Sequence, residues 1–74
     1  MPFISVKLIE GVFDASQKRD MVERLTDAMV AIEGENMRPV TSCVIEEVRS
    51  GGWEIGGKPL STADVKNLAE VGTD

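Results

Sequence analysis

Two runs rich in β-branched and apolar residues, Phe3–Ile9 and Val40–Val48, stand on either side of one long stretch with helical spacing. That order constrains the fold more than any other feature. A strand–helix–strand crossover gives parallel strands in the right-handed sense, and a parallel sheet normally needs both faces covered. The chain carries one substantial helix, enough for one face. The other face must meet another subunit or stay on the surface as an apolar patch. The expected class is α/β (α+β): a single β-α-β unit, a C-terminal hairpin and a short helix. It forms one domain over residues 1–74 and sits in an oligomer.

Local signals place the elements. In the first run Ile4, Val6 and Leu8 share a face with Pro2, while Phe3, Ser5, Lys7 and Ile9 take the other. Asp14 offers an N-cap with Gln17 three residues on, the pattern of a capping box. Met21, Leu25, Ala28, Met29 and Ile32 follow at helical spacing. Lys18, Arg19, Glu23, Thr26 and Asp27 fall mostly on the wet face. Gly34 ends a helix expected over Ala15–Glu33. Ser50-Gly51-Gly52 turns the chain, Trp53-Glu54-Ile55 is a short extended piece, and Gly56-Gly57 turns it again. Ser61 with Asp64 caps a last helix from Thr62 to about Val71, carrying Val65 and Leu68.

Composition then limits the chemistry. A chain of 74 residues is short, and at that size only about 60% of the unfolded surface is buried. Small domains commonly add disulfides, metal or partner subunits. The one cysteine, Cys43, excludes an intrachain disulfide, and there is no histidine. Zinc sites of the Cys/His type and Ser-His-Asp or Cys-His nucleophiles are thereby excluded, and no metal is expected. Eight basic against thirteen acidic residues, net −5, disfavour a nucleic-acid partner. No apolar run approaches the ~20 residues of a membrane span, and no signal-peptide pattern opens the chain. A single unpaired thiol fits a reducing compartment, so the expected location is the cytoplasm. Cys43, Met21 and Met29 read as core residues. The paired glycines read as hairpin turns, because they lack the lysine and the strand-to-helix setting of a phosphate loop.

Pro2 is the residue with the clearest chemical potential. Removal of Met1 would leave it as a terminal secondary amine, able to accept a proton where an internal proline cannot. An ordinary α-amino group titrates at ~7.7–8.0, and an apolar pocket with cationic neighbours lowers that value further. Such an amine is a competent general base near neutrality, and it replaces the absent histidine. Pro2 also leads directly into a strand, which holds its nitrogen at a sheet edge rather than on a loose tail.

Met-Pro-Phe-Ile, then L-I-E-G, a helix with Q-K near its start, V-I-E-E-V and W-E-I-G-G together resemble the 4-oxalocrotonate tautomerase family of the tautomerase superfamily. The resemblance runs from Pro2 to about Ala69. It implies a β-α-β fold whose subunits pair their sheets, usually as a hexamer built as a trimer of dimers. It also implies a cofactor-free keto–enol isomerisation of an enol or unsaturated 2-oxo acid. The proline nitrogen takes a proton from a carbon next to a carbonyl and returns it to a different carbon. Cationic side chains bind the substrate carboxylates, and the pocket lies between subunits. By this resemblance Pro2 matches the catalytic proline, Ile9 an apolar pocket position and Trp53 the hairpin aromatic that lines the pocket.

Two positions depart from the family pattern. After the E-G pair a typical member has a carboxylate-gripping arginine, and here that position is Val12. A second arginine is expected early in the second strand, where this chain has Ser42, or Val44 in a shifted alignment. Bidentate arginine–carboxylate contacts are among the stronger polar contacts, so efficient turnover of a dicarboxylate is not expected. Arg38 is the nearest replacement, and Lys7 is a second cation to consider. Two rival readings stand beside the isomerase. One is a non-catalytic oligomeric scaffold, or the arginine-lacking partner of a hetero-oligomer. The other is a hydratase or dehalogenase using Pro2 with an acid near Glu54, although the family's acid aligns with Ile55.

Overall fold

The computed structural model describes residues 1–71, and the expected elements form nearly where their signals lie. Strand β1 is Phe3–Ile9, helix α1 is Ala15–Glu33, and strand β2 is Ser42–Val48. Strands β3, Trp53–Ile55, and β4, Lys58–Leu60, form the hairpin, and helix α2 is Thr62–Val71. The expected domain also takes in 72–74, which lie outside the described residues. β1 and β2 are hydrogen-bonded neighbours. Ser42 N–H donates to Pro2 C=O where both strands begin, and Glu10 N–H donates to Val48 C=O where both end. Start meets start and end meets end, so the pair is parallel. β3 and β4 pair antiparallel, Trp53 opposite Leu60 and Ile55 opposite Lys58. Their turn is Gly56-Gly57, with φ of 61° and 79°, the positive pair that a type I′ turn requires.

The chain folds as two compact units. The first joins Met1–Val6 to Asp14–Glu46. Its covered residues include Pro2 just before β1, Ile4 and Val6 on β1, Cys43 and Ile45 on β2, and one side of α1. Asp14 accepts from the Gln17 amide at 2.7 Å, and its own amide donates to the Gln17 side chain at 2.9 Å. This reciprocal box starts α1 as the sequence indicates. The second unit joins Lys7–Phe13 to the chain from Glu47 onward, with Leu8, Ile9, Phe13, Val48, Trp53, Leu60 and Val65 covered.

Two expectations are corrected. The second strand begins at Ser42, not Val40, because a 3-10 helix, Glu35–Val40, takes up the preceding residues. Thr41 closes that turn, its amide donating to Arg38 C=O at 3.2 Å, and Pro39 has no N–H to offer a ladder. The covered side of α1 is rotated by one residue. Val30 is buried, and Val22, Thr26, Glu33 and the expected Met21 and Met29 are partly covered, while Leu25, Ala28 and Ile32 are exposed. Both stripes share one spacing, and the chosen one hides Glu33, whose carboxylate accepts from the Thr41 hydroxyl. No expectation is overturned at Ile9, which is buried although it alternates with exposed Phe3, Ser5 and Lys7. It ends β1 inside the second unit, where the hairpin and α2 also lie.

Candidate functional site

The residues singled out above fall into two groups. In the first unit, Pro2 and Ser42 meet at the open ends of β1 and β2. Pro2 is half-buried, and its carbonyl accepts from the Ser42 amide at 3.1 Å. This bond holds the Pro2 backbone at the strand edge. Met1, ahead of it, is almost fully exposed.

Arg38 lies in the 3-10 helix, also in the first unit. Its Nε donates to Glu35 Oε1 at 2.7 Å and its Nη1 to Asp27 Oδ1 at 2.9 Å. Those hydrogen bonds raise the guanidinium pKa, the one from Glu35 most, and Arg38 in turn holds the Glu35 carboxyl below the usual carboxylate range. One positive charge faces two negative ones, so the cluster as a whole repels a further carboxylate. As a substitute for the missing arginines, Arg38 therefore starts at a disadvantage. The local spacing of Arg38 and Glu35 is visible in the sequence, but the approach of Asp27, eleven residues away, is not.

In the second unit the structure brings Ile9 and Trp53 together. They line a recess of about 270 Å³. Lys7 and Leu8 of β1 line it too, with Phe13 from the turn after β1. The hairpin adds Ile55 and Leu60, and α2 adds Val65 and Leu68. Strand alternation puts Trp53 and Ile55 on one side of β3 and Glu54 on the other, and Glu54 is not among the lining residues. That placement gives the acid-assisted hydratase reading no support.

The second unit also holds a polar lock that the sequence pattern did not reveal. Glu10 carboxylate accepts from the Ser50 amide at 2.9 Å, and Glu10 C=O accepts from the Thr62 hydroxyl at 2.6 Å. The Thr62 amide donates to Ser50 Oγ at 3.0 Å. These bonds join the end of β1, the turn before the hairpin and the start of α2. Gly11 fits beside them because a Cβ there would stand 3.2 Å from Thr62 Cγ2, and its φ is +79°. The E-G pair was the one available signal. Its partners lie 40 and 52 residues away, beyond any local pattern. Val12, at the position of the absent first arginine, follows directly and is half-buried.

Among the described residues, no cluster of His, Cys, Asp and Glu is placed to hold a metal ion, and no helix is long and apolar enough to cross a membrane. The protein-family profile described as "Tautomerase enzyme" matches residues 2–63. The 2-hydroxymuconate tautomerase of Bacillus subtilis (strain 168) is 38% identical over 61 residues, covering 82% of this chain and 95% of that protein. The crystal structure of apo unfused 4-OT superposes with a TM-score of 0.71 at 25% identity, over 80% of this chain and 93% of that one. The crystal structure of DmpI from Helicobacter pylori gives 0.67 at 31% identity, over 80% and 95%.

Proposed function

The chain belongs to the tautomerase family, and from that premise we propose that it isomerises enols of unsaturated 2-oxo acids without a cofactor, with the Pro2 amine as general base. The observation that carries this reading is the fixed place of Pro2. Its carbonyl is bonded to Ser42 at the strand edge, so the ring nitrogen stays with the sheet while substrate binds. A base of this kind works by position first and pKa second. Met1 must leave, because the nitrogen it acylates is an amide with no basic lone pair. In an enol the proton taken from the hydroxyl is returned to a carbon of the conjugated double bond while the C–OH becomes a carbonyl, so the cycle balances with no co-reactant.

Ile9 and Trp53 then supply apolar pocket wall, and Arg38 and Ser42 stand nearest the expected carboxylate contacts. Copies of the chain assemble, as a hexamer in the family's usual form, and pockets form between them. A reducing cytoplasm suits the free Cys43. The test is ketonisation by Met1-free protein, its processing verified by intact mass, with Pro2→Ala beside it. Loss of about 10²-fold or more in kcat/KM is expected on the scale of general-base contributions. An unchanged rate removes Pro2 from the mechanism.

One observation favours a second reading. Val12 and Ser42 replace both expected arginines, and Arg38 is held by two carboxylates. A partner chain that brings its own arginines would complete such a site. Activity that appears only on mixing with a second, arginine-bearing chain would select this reading over the homo-oligomer.

A further inference from the structure

We propose that Thr41 is a positioning residue for the base: its hydroxyl pins the start of β2 and, through the Ser42 amide, the place of Pro2. The inference rests on the reading of Pro2 as general base. Every group it uses lies in the first unit. The Thr41 hydroxyl donates to Met37 C=O at 2.8 Å and to the Glu33 carboxylate, sharing its one proton between them. The Thr41 amide donates to Arg38 C=O at 3.2 Å. Thr41 is thus tied to the last residue of α1 and to two residues of the 3-10 helix. The next amide along the chain, that of Ser42, donates to Pro2 C=O at 3.1 Å. One peptide unit and one hydrogen bond therefore separate Thr41 from Pro2.

The segment before Thr41 explains why a pin matters there. Glu35–Val40 is a 3-10 helix with Pro39 inside it. Such helices have poorer hydrogen-bond geometry than α-helices, and Pro39 has no N–H to donate. Along this stretch only Met37 is even partly covered. Packing holds it weakly, and without a further tie the start of β2 would move with it. Thr41 is half-buried, and its hydroxyl supplies that tie from the side of α1. The demand comes from the chemistry. A general base must stand within hydrogen-bond reach of the proton it takes, and a displacement of about 1 Å can cost 10²-fold in rate.

The experiment compares Thr41→Val, which keeps the shape and removes the hydroxyl, with Thr41→Ser, which keeps the hydroxyl. Met1-free full-length protein is used, with Pro2→Ala alongside, on phenylenolpyruvate and 2-hydroxymuconate. Thr41→Val should lower kcat about tenfold or more with KM within about twofold, because a misplaced base loses rate rather than affinity. Thr41→Ser should restore most of that loss. Amide hydrogen exchange gives a readout independent of turnover. The Ser42 amide should be protected in the wild type and exchange about tenfold or more faster in Thr41→Val, by local opening of the strand end. Unchanged kcat in Thr41→Val, with turnover still lost in Pro2→Ala, overturns the inference and leaves the base intact. Equal losses in Thr41→Val and Thr41→Ser overturn it as well. A Ser42 amide that exchanges freely in the wild type overturns it whether or not Thr41→Val folds. Absence of Pro2-dependent turnover on both substrates overturns the reading of Pro2 and the inference with it.

Discussion

The Asp64 carboxyl lies below the usual carboxylate range because the Ser61 amide, and then the Ser61 hydroxyl, bonds its charged form. The amide contact is 2.9 Å, and the Asp64 amide returns a bond to Ser61 Oγ at 3.1 Å. A carboxyl with a depressed folded pKa adds stability above its unfolded value of about 3.9, and that stability is lost as pH falls through the folded value. An NMR titration of Asp64 should therefore show a midpoint below about 3.9. Asp64→Asn should flatten the acid limb of stability below about pH 4. A midpoint at or above the unfolded value would sink the cap. This pair was legible because Ser61 and Asp64 are three residues apart. Pro2, Ile9 and Trp53 were singled out for a similar reason, since each sits at a fixed place within a local motif. The bonds of Glu10 to Ser50 and Thr62, and of Arg38 to Asp27, were not. They depend on which segments the fold brings together, and no local spacing encodes that.

Whole elements were read more reliably than their orientation. β1, α1 and the β3 strand begin and end at the residues their signals mark. α1 is marked twice, by Asp14 with Gln17 at its start and by Gly34 at its end, where φ is 107°. Replacing the Asp14 carboxylate removes both the bond it accepts and the frame for the return bond. Asp14→Ala should cost about 1 kcal/mol of stability, typical for removal of an N-cap, measured by urea unfolding. A change below about 0.3 kcal/mol would mean that packing alone holds the helix start. The side that α1 covers was misread because periodicity sets a spacing and not a phase. Stripes starting at Met21 and at Val22 repeat identically, and the second carries Thr26 and Glu33. Those polar residues made it look wet. The hydrogen bond between Glu33 and Thr41 makes its partial burial tolerable, and that bond joins the end of the helix to the residue just before β2.

At the scale of the whole molecule the chain is short of interior. Among the described residues only Ile9 and Val30 are buried apolar side chains. Phe3 is 67% exposed and Val44 39%, on the open sides of β1 and β2, and Ile32 is 85% exposed on α1. A soluble chain rarely leaves so much of its apolar content on strands without a use for it. The element count anticipates this, since one long helix covers one side of a sheet. Self-association through the open strand side would bury Phe3, and a fully buried phenylalanine contributes about 1.5–3 kcal/mol. A charge in its place should then weaken association by about tenfold to a hundredfold at each interface that Phe3 enters. Phe3→Glu should lower the mass seen by light scattering at micromolar protein and steepen the dependence of Tm on concentration, because assembly stabilises by mass action. An unchanged mass and Tm would place the interface between copies elsewhere, and Ile32→Glu would then be the variant to weigh. The outcome bears on the chemistry as well. If pockets form between copies, dilution of Phe3→Glu should remove activity in step with mass, whereas a site complete within one chain would keep its specific activity as the assembly falls apart.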